Sequence, residues 1–203
     1  MTFLPLEKGQ LASVVTALEM TKQPDDKWLS QNATILDIDN NPYHLERWED
    51  PKTDSYRDLF LKIGSPWLWF SRLELDDRAL KALITHPEIE IYRLRDNDNH
   101  IAGMIELDFR KKGECEIVFF GLDTGYIGKK LGYPVMIHTL HKAWKSDINR
   151  VWLHSCSFDH PAALRFYQKH HFQPYQRMIE IHDDPRLIGL LPKEAAPHIP
   201  IID

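Results

Sequence analysis

Cysteine is nearly absent from this chain: Cys115 and Cys156 are the two in 203 residues, and they form no paired-cysteine motif. That excludes a disulfide framework and fits a reducing compartment. Positive charge is not in excess either. Twenty-five Lys+Arg stand against 30 Asp+Glu, a formal net charge of −5. A nucleic-acid backbone is therefore not expected as the main partner. No apolar run approaches the ~18 residues of a membrane span. The opening "MTFLPLEKGQLASVV" carries acid and base before any apolar core, unlike a signal peptide. The expectation is a cytoplasmic protein with no membrane contact. Internal repeats, low-complexity tracts and long linkers are also lacking. What is present is a 43% hydrophobic composition, enough for one domain with a sizeable core. The looser parts are expected at 21–32 and in the proline-bearing tail after Asp184.

Periodicity divides the chain coarsely. The runs at 12–20 and 33–39 read as short strands. "YRDLFLKIG" puts Tyr56, Leu59, Phe60 and Ile63 on one helical face and stops at Gly64. "DDRALKALI" opens with acids suited to a helix N-terminus and groups Leu80, Leu83 and Ile84. The aromatic connection "PWLWF" lies between these two helices. Strand-like runs follow at 88–95, 101–109 and 115–122, joined by short turns that suit an antiparallel meander. "LGYPVMIHTLHKAW" then reads as a helix with Pro134 in its first turn, where a missing N–H costs little. A strand at 150–158 is followed by a helix capped by Asp159 or His160, with Pro161 just inside. A last strand spans 172–181. The sum is a mixed α+β domain around one sheet, with a crossover between parallel strands across 115–156.

The informative stretch is "EIVFFGLDTGYIGKKLGYPVM" (116–136). A glycine-bearing turn between a strand and a helix N-terminus presents backbone N–H groups and partial positive charge, which suits a phosphate. Lys129 and Lys130 would reinforce that. The spacing is neither a Walker A loop nor a Rossmann fingerprint. Local chemistry alone leaves two readings open, a phosphate cradle or a structural corner with solvated lysines.

Here the chain resembles the GNAT superfamily of acyl-CoA-dependent N-acyltransferases, and within it a poorly characterised bacterial subgroup. The superfamily's Arg/Gln-x-x-Gly-x-Gly/Ala loop falls on "IGKKLG", with Ile127 for Arg/Gln, Lys130 for the first motif glycine and Gly132 matching. "LDTGYIGK" is similar to a common "V-D-P-E-Y-R-G-K". "HPAALRFYQKHHF" keeps Ala163, Tyr167 and Phe172 of N-x-x-A-x-x-x-Y-x-x-x-G-F, with His160 for the asparagine and His171 for the glycine. "PWLWF" and "HSCSFDHPAAL" add to the likeness, which covers roughly 88–178 and extends from about 55.

The resemblance implies a single GNAT-like domain over 1–184, with its core at 55–182, residues 1–50 as an N-terminal extension and 185–203 as a tail. It implies a central, mostly antiparallel sheet with one splayed parallel pair and flanking helices. It favours the cradle reading, with acetyl-CoA as co-substrate held by Leu122, Ile127, Gly128, Lys129, Lys130, Leu131, Gly132 and His160. A lysine at 130 suits a right-handed helical backbone; a positive φ there would cost affinity. The acceptor would be a small amine or a protein amino group, and homodimers are common among such proteins.

An alkylammonium of pKa ~10.4 is neutral to only about 0.04% at pH 7, so a base is needed. Glu116 stands where histone-type relatives place theirs, with Glu114, Glu106 and Asp108 as neighbouring carboxylates. The alternative is a solvent-side residue of an alternating strand. Tyr167 matches the family's general acid, although core packing would also place a tyrosine there. Trp67 and Trp69 could line the acceptor site or simply fill the core. His154 and Cys156 lie on the strand facing the cleft, Cys156 without a base to activate it. His138 and His141, three apart on a helix, lack a third ligand, so no metal is expected. An acyl-CoA-binding sensor that has lost catalysis is the competing expectation, prompted by the substituted loop.

Overall fold

The computed structural model describes residues 2–25 and 42–203; the strand expected at 33–39 lies outside them. The first strand, β1 (Gln10–Met20), bears out the run at 12–20. A short strand, β2 (Tyr43–Arg47), follows that sequence pattern did not predict. The two expected helices form as α1 (Thr53–Gly64) and α2 (Asp77–Ile84). α1 buries Tyr56, Leu59, Phe60 and Ile63, the i, i+3, i+4, i+7 stripe of an amphipathic helix. α2 is capped by Asp76, whose carboxylate accepts from the Ala79 N–H at 2.7 Å.

The meander is β3 (Ile89–Asp96), β4 (Ile101–Asp108) and β5 (Glu114–Leu122). It leads through α3 (Gly132–Ala143) to β6 (Arg150–Cys156), then through α4 (Ala163–Lys169) to β7 (Gln173–Asp183). All seven strands join one sheet in the order β2-β3-β4-β5-β6-β1-β7, antiparallel except for the β5–β6 pair. This is the mixed sheet with one parallel pair that the sequence implied.

Two apolar clusters hold the layers together. Tyr56, Phe60, Ile63, Leu80 and Ile84 pack on Ile89, Ile91, Met104 and Phe119 of one sheet face. On the other face, Val135, Met136, Leu140 and Ala143 of α3 meet Ile105, Leu107, Ile117 and Leu153, with Tyr167 and Phe172. Each fully buried side chain of this size removes roughly 1.5–3 kcal/mol worth of apolar surface from water.

Besides the added strand β2, the fold departs from the sequence expectations at the start of α4 and in the C-terminal tail. First, α4 starts at Ala163, with Ala162 and not Asp159 or His160 as its N-cap. The Asp159 carboxylate is turned back instead: Oδ2 accepts from the Cys156 N–H at 2.9 Å and the Ser155 hydroxyl at 2.8 Å. Second, the tail expected to be loose is packed. Leu191, Ala195 and Ala196 pack with Leu11 and Leu68, and the Gly9 N–H donates to the Ile202 carbonyl at 2.8 Å.

Candidate active site

β5 and β6 register only at Glu114–Arg150, Cys115–Val151 and Glu116–Trp152. Beyond Glu116 the two strands part, leaving the β6-facing edge of β5 without a strand partner among the described residues. A β-bulge sits at the same place: Leu107 faces Ile117 and Glu106 faces Phe119, so Val118 is the extra residue. The bulge reverses the alternation. Glu116 shares a face with Asp108, whereas Phe120 and Leu122 share the opposite face with Ile105 and Gly103. A cavity of about 740 Å³ fills the opening and is lined from both faces of the sheet, by Phe120, Phe166 and Tyr167 on one side and Trp69, His154 and Glu180 on the other.

One end of the cavity is the loop before α3. No side chain caps this helix. Among the described residues, the N–H groups of Gly128, Lys130, Leu131 and Gly132 have no hydrogen-bond acceptor. Four unpaired donors at a helix N-terminus form a natural anion site. Lys130 has φ +61°, a left-handed backbone, and not the right-handed helical conformation that would suit lysine best. Gly128, at φ +85°, is where the loop needs a residue free of that strain. Leu122, Ile127, Gly128, Lys130, Leu131, Gly132 and His160 all line the cavity. Lys129 does not; its ammonium lies 4.3 Å from the centre of the Tyr126 ring.

The other end is acidic and imidazole-rich. His154 and Cys156 from β6, Asp159 from the following turn, and Glu180 and His182 from β7 all face the cavity. Trp67 and Trp69 form its aromatic wall. Trp69 packs against Phe60 and Phe119 and donates its indole N–H to Asp159 Oδ1 at 3.3 Å. Glycine makes its seat: a Cβ on Gly64 would meet Trp69 at 2.6 Å and one on Gly121 at 2.8 Å. Trp67 is held between His160 and His198, with ring centres 5.4 and 6.4 Å away.

The carboxylates near β5 sort by their partners. Glu106 is wholly buried between Arg72 and the Tyr56 hydroxyl. Asp108 pairs with Arg110, and Glu114 with Arg150 and Lys111. Among the described residues Glu116 has no Lys or Arg partner; its Oε1 lies 3.6 Å from His154 Nδ1, an ion-pair distance longer than a hydrogen bond. Glu116 itself does not line the cavity, and His154 stands between them. The Glu116 contact raises the His154 pKa against the opposing effect of burial, helped by Asp159 and Glu180.

Tyr167 is buried, and its hydroxyl has no hydrogen-bond partner among the described residues. Burial, with the Asp159 charge, raises its pKa, so the phenol stays protonated at neutral pH. Cys156 is pushed up to about 11, chiefly by burial, which leaves no thiolate at neutral pH. Residues that sequence reasoning passed over are Glu180, His182 and Asp159. The period-2 spacing of Glu180 and His182 on a strand was the available signal for the first two. Among the described residues, one trio with metal-ligand spacing exists, Asp96, Asp98 and His100. It sits on the β3–β4 turn, where Asp96 already accepts from the Asp98 and His100 N–H groups and the Tyr126 hydroxyl.

The unpaired N–H groups before α3 and the splayed β5–β6 pair thus border one cavity. The family model for GNAT acetyltransferases matches residues 37–172, and the chain belongs to that family. Solved structures agree at the level of fold. A conserved protein of unknown function from Staphylococcus epidermidis superposes with a TM-score of 0.54 at 13% identity, covering 87% of this chain and 63% of that one. An aminoglycoside acetyltransferase from an uncultured soil metagenomic sample gives 0.52 at 16% identity, covering 64% and 88%. An acetyltransferase from Thermus thermophilus gives 0.50 at 12%, covering 72% and 99%. No curated protein matches the chain.

Proposed function

We infer that the protein transfers an acetyl group from acetyl-CoA to a primary amine by direct attack within a ternary complex. The observation that carries this reading is the polarity of the cavity. One end offers four unpaired N–H groups and Lys130, and the other offers Asp159, Glu180 and the His154–Glu116 pair. The residues fit the co-substrate. The loop donors and Lys130 suit a pyrophosphate, and the unpaired edge of β5 suits the amides of a pantetheine arm. That edge also offers N–H groups to a thioester carbonyl. Tyr167 is the proton donor for the departing thiolate, and the acidic end favours a cationic acceptor. The aminoglycoside acetyltransferase, at 16% identity, shares only the fold with this chain, so the acceptor is assigned by chemistry, as an amine.

The sensor alternative rests on Lys130, whose left-handed backbone is a cost that glycine would not carry. The reacting groups favour catalysis over sensing. The test is calorimetric titration with acetyl-CoA, free CoA and ATP, followed by an amine screen read by thiol release. Micromolar binding of both CoA species but not ATP, with turnover of at least one amine, is expected. Binding without turnover across the screen would favour the sensor, and no binding up to millimolar concentration would remove both readings.

A further inference from the structure

We propose that His154 is the general base of the transfer and that Glu116, behind it, is a positioning residue. The proposal rests on the acetyl-transfer reading above and specifies how its proton moves.

The argument is one of access. A base must reach the acceptor nitrogen directly or through one water. Glu116 lies behind the cavity wall, on the strand segment that is still paired with β6. His154 is two residues beyond the last β5–β6 pair, at Trp152, where β6 has left β5 and its side chain is about half exposed. Its Nδ1 faces Glu116 Oε1 at 3.6 Å, and the nearby carboxylate favours the proton on Nδ1 by charge, which leaves Nε2 as the acceptor. Other candidates are occupied. Asp159 accepts from Trp69, Ser155 and Cys156, and Glu106 is locked under Arg72. Glu180 carries one hydroxyl contact, from Ser13 at 3.3 Å, and is set aside by position: β7 lies beyond β1 from the β5–β6 splay, whereas His154 is on β6 itself.

The charges around the imidazole come from three elements: Glu116 on β5, Asp159 on the turn after β6, and Glu180 on β7, with His182 on the same strand. The β1 register partner of His154 is Ala17, which has no charge. The acidic surroundings raise the His154 pKa, so the neutral, proton-accepting form grows as pH rises through that value.

The protons balance over the cycle. The acceptor ammonium first loses one proton to solvent. Its lone pair attacks the thioester carbon, forming the C–N bond and an oxyanion, and the nitrogen's excess proton passes to His154 Nε2. Collapse of the adduct breaks the C–S bond, and the thiolate takes the Tyr167 proton. Return of the His154 proton to Tyr167 through solvent leaves amide, thiol and one released proton.

The experiment pairs an NMR titration of His154 in the full chain with the pH profile of kcat/KM, in wild type, Glu116→Gln and His154→Gln. Glu116→Gln is expected to lower the His154 pKa and move the acid limb of the profile down by the same amount. His154→Gln is expected to abolish that limb and cost about 100-fold in kcat, with acetyl-CoA affinity unchanged. An acid limb that survives His154→Gln, or a Glu116→Gln loss of kcat with an unmoved His154 titration, overturns the proposal and leaves acetyl transfer standing. Acetyl-CoA binding with no turnover of any amine sinks the transfer reading itself, and His154 as its base with it.

Discussion

Arg72 Nη2 donates to Glu106 Oε1 at 2.6 Å, and Glu106 is wholly buried in the sheet. Arg72 belongs to the segment following Trp67–Phe70, while Glu106 belongs to β4, so this ion pair ties the aromatic wall to the central sheet. The Tyr56 hydroxyl satisfies the second oxygen at 2.5 Å, and Arg72 also lies over the Phe119 ring.

Removing one partner of such a pair strands the other as an uncompensated buried charge. Arg72→Met is expected to destabilise the protein by about 3–5 kcal/mol. Arg72→Met combined with Glu106→Gln should recover part of that loss, because no full charge is left unpaired. Denaturant midpoints of the two variants check this. On the proposed acetyl-transfer reading, the acceptor KM of the single variant should rise more than the acetyl-CoA Kd, since the aromatic wall and not the loop before α3 has lost its tie.

Lys130 and His171 share a backbone state, with φ of 61° and 70°, at two positions where the resembled motifs have glycine and this chain does not. Both turns place a non-glycine residue in the left-handed region, which glycine occupies at less cost. Lys130→Gly should relieve up to about 1 kcal/mol of left-handed strain. The same change removes the one cavity-lining lysine of the loop, so CoA affinity should fall about fivefold, the equivalent of ~1 kcal/mol at RT of 0.59. Thermal unfolding should therefore move up while calorimetric affinity moves down. Affinity unchanged or improved would mean that the Lys130 ammonium does not meet the phosphates.

Much of the fold was legible in the sequence. The 3.6-residue stripe of Tyr56, Leu59, Phe60 and Ile63 specified α1, and the three closely spaced runs specified the meander. The loop positions facing the cavity followed from "IGKKLG", except Lys129, which is drawn away by Tyr126. What could not be read was the bulge at Val118. Strict alternation puts Glu116, Phe120 and Leu122 on one face, whereas one extra residue separates them. The early start expected for α4 failed for a similar local reason: Asp159 prefers the Cys156 N–H and Ser155 hydroxyl to a helix N-terminus. The packed tail depends on an Asp184–Arg186 pair whose carbonyl partners lie nine to thirteen residues beyond Arg186, outside any local pattern.

Tyr167→Phe isolates a single atom. The phenol ring fills the core against Phe172 and Phe120, and the hydroxyl has no hydrogen-bond partner among the described residues. Stability should change by less than about 0.5 kcal/mol, as for substitutions that break no contact. If the hydroxyl protonates the leaving thiolate, kcat should drop about 100-fold with acetyl-CoA affinity intact. A small kcat effect would assign Tyr167 to packing alone.

His170 provides a pH test of the fold. It is almost fully buried, its Nδ1–H donates to the Phe166 carbonyl at 2.8 Å, and Nε2 has no partner among the described residues. Burial lowers its pKa, with His171 and Lys169 adding to the effect. The folded form therefore binds this proton less readily than the unfolded chain, whose histidine titrates near ~6.5. The contribution to stability is complete above that pH and is lost as pH falls through it. His170→Gln should flatten the decline in stability between about pH 7 and 5. An unchanged slope in urea-midpoint measurements would show that other groups govern it.

The tail lock responds to acid in a different window. Asp184 and Arg186 are both buried; the carboxylate accepts from the guanidinium at 2.7 Å, and Arg186 Nη1 also donates to the carbonyls of Ala195, Ala196 and Ile199. Burial alone would raise the Asp184 pKa, but the Arg186 hydrogen bonds and charge outweigh it and hold it below the usual range. The ionised carboxylate thus stabilises the folded chain above the unfolded aspartate value of ~3.9, and that contribution is lost as pH falls through the lowered folded pKa. Asp184→Asn leaves the guanidinium buried without its counter-charge and should cost about 3–5 kcal/mol. Because Arg186 gathers the carbonyls of the last turns, the loss should be local first. Limited proteolysis should cut the variant after Asp184 sooner than wild type, while β1–β7 pairing, at the other side of Asp183, persists. Equal proteolysis of the two chains would mean that the apolar contacts of Leu191, Ala195 and Ala196 with Leu11 and Leu68 hold the tail without the ion pair.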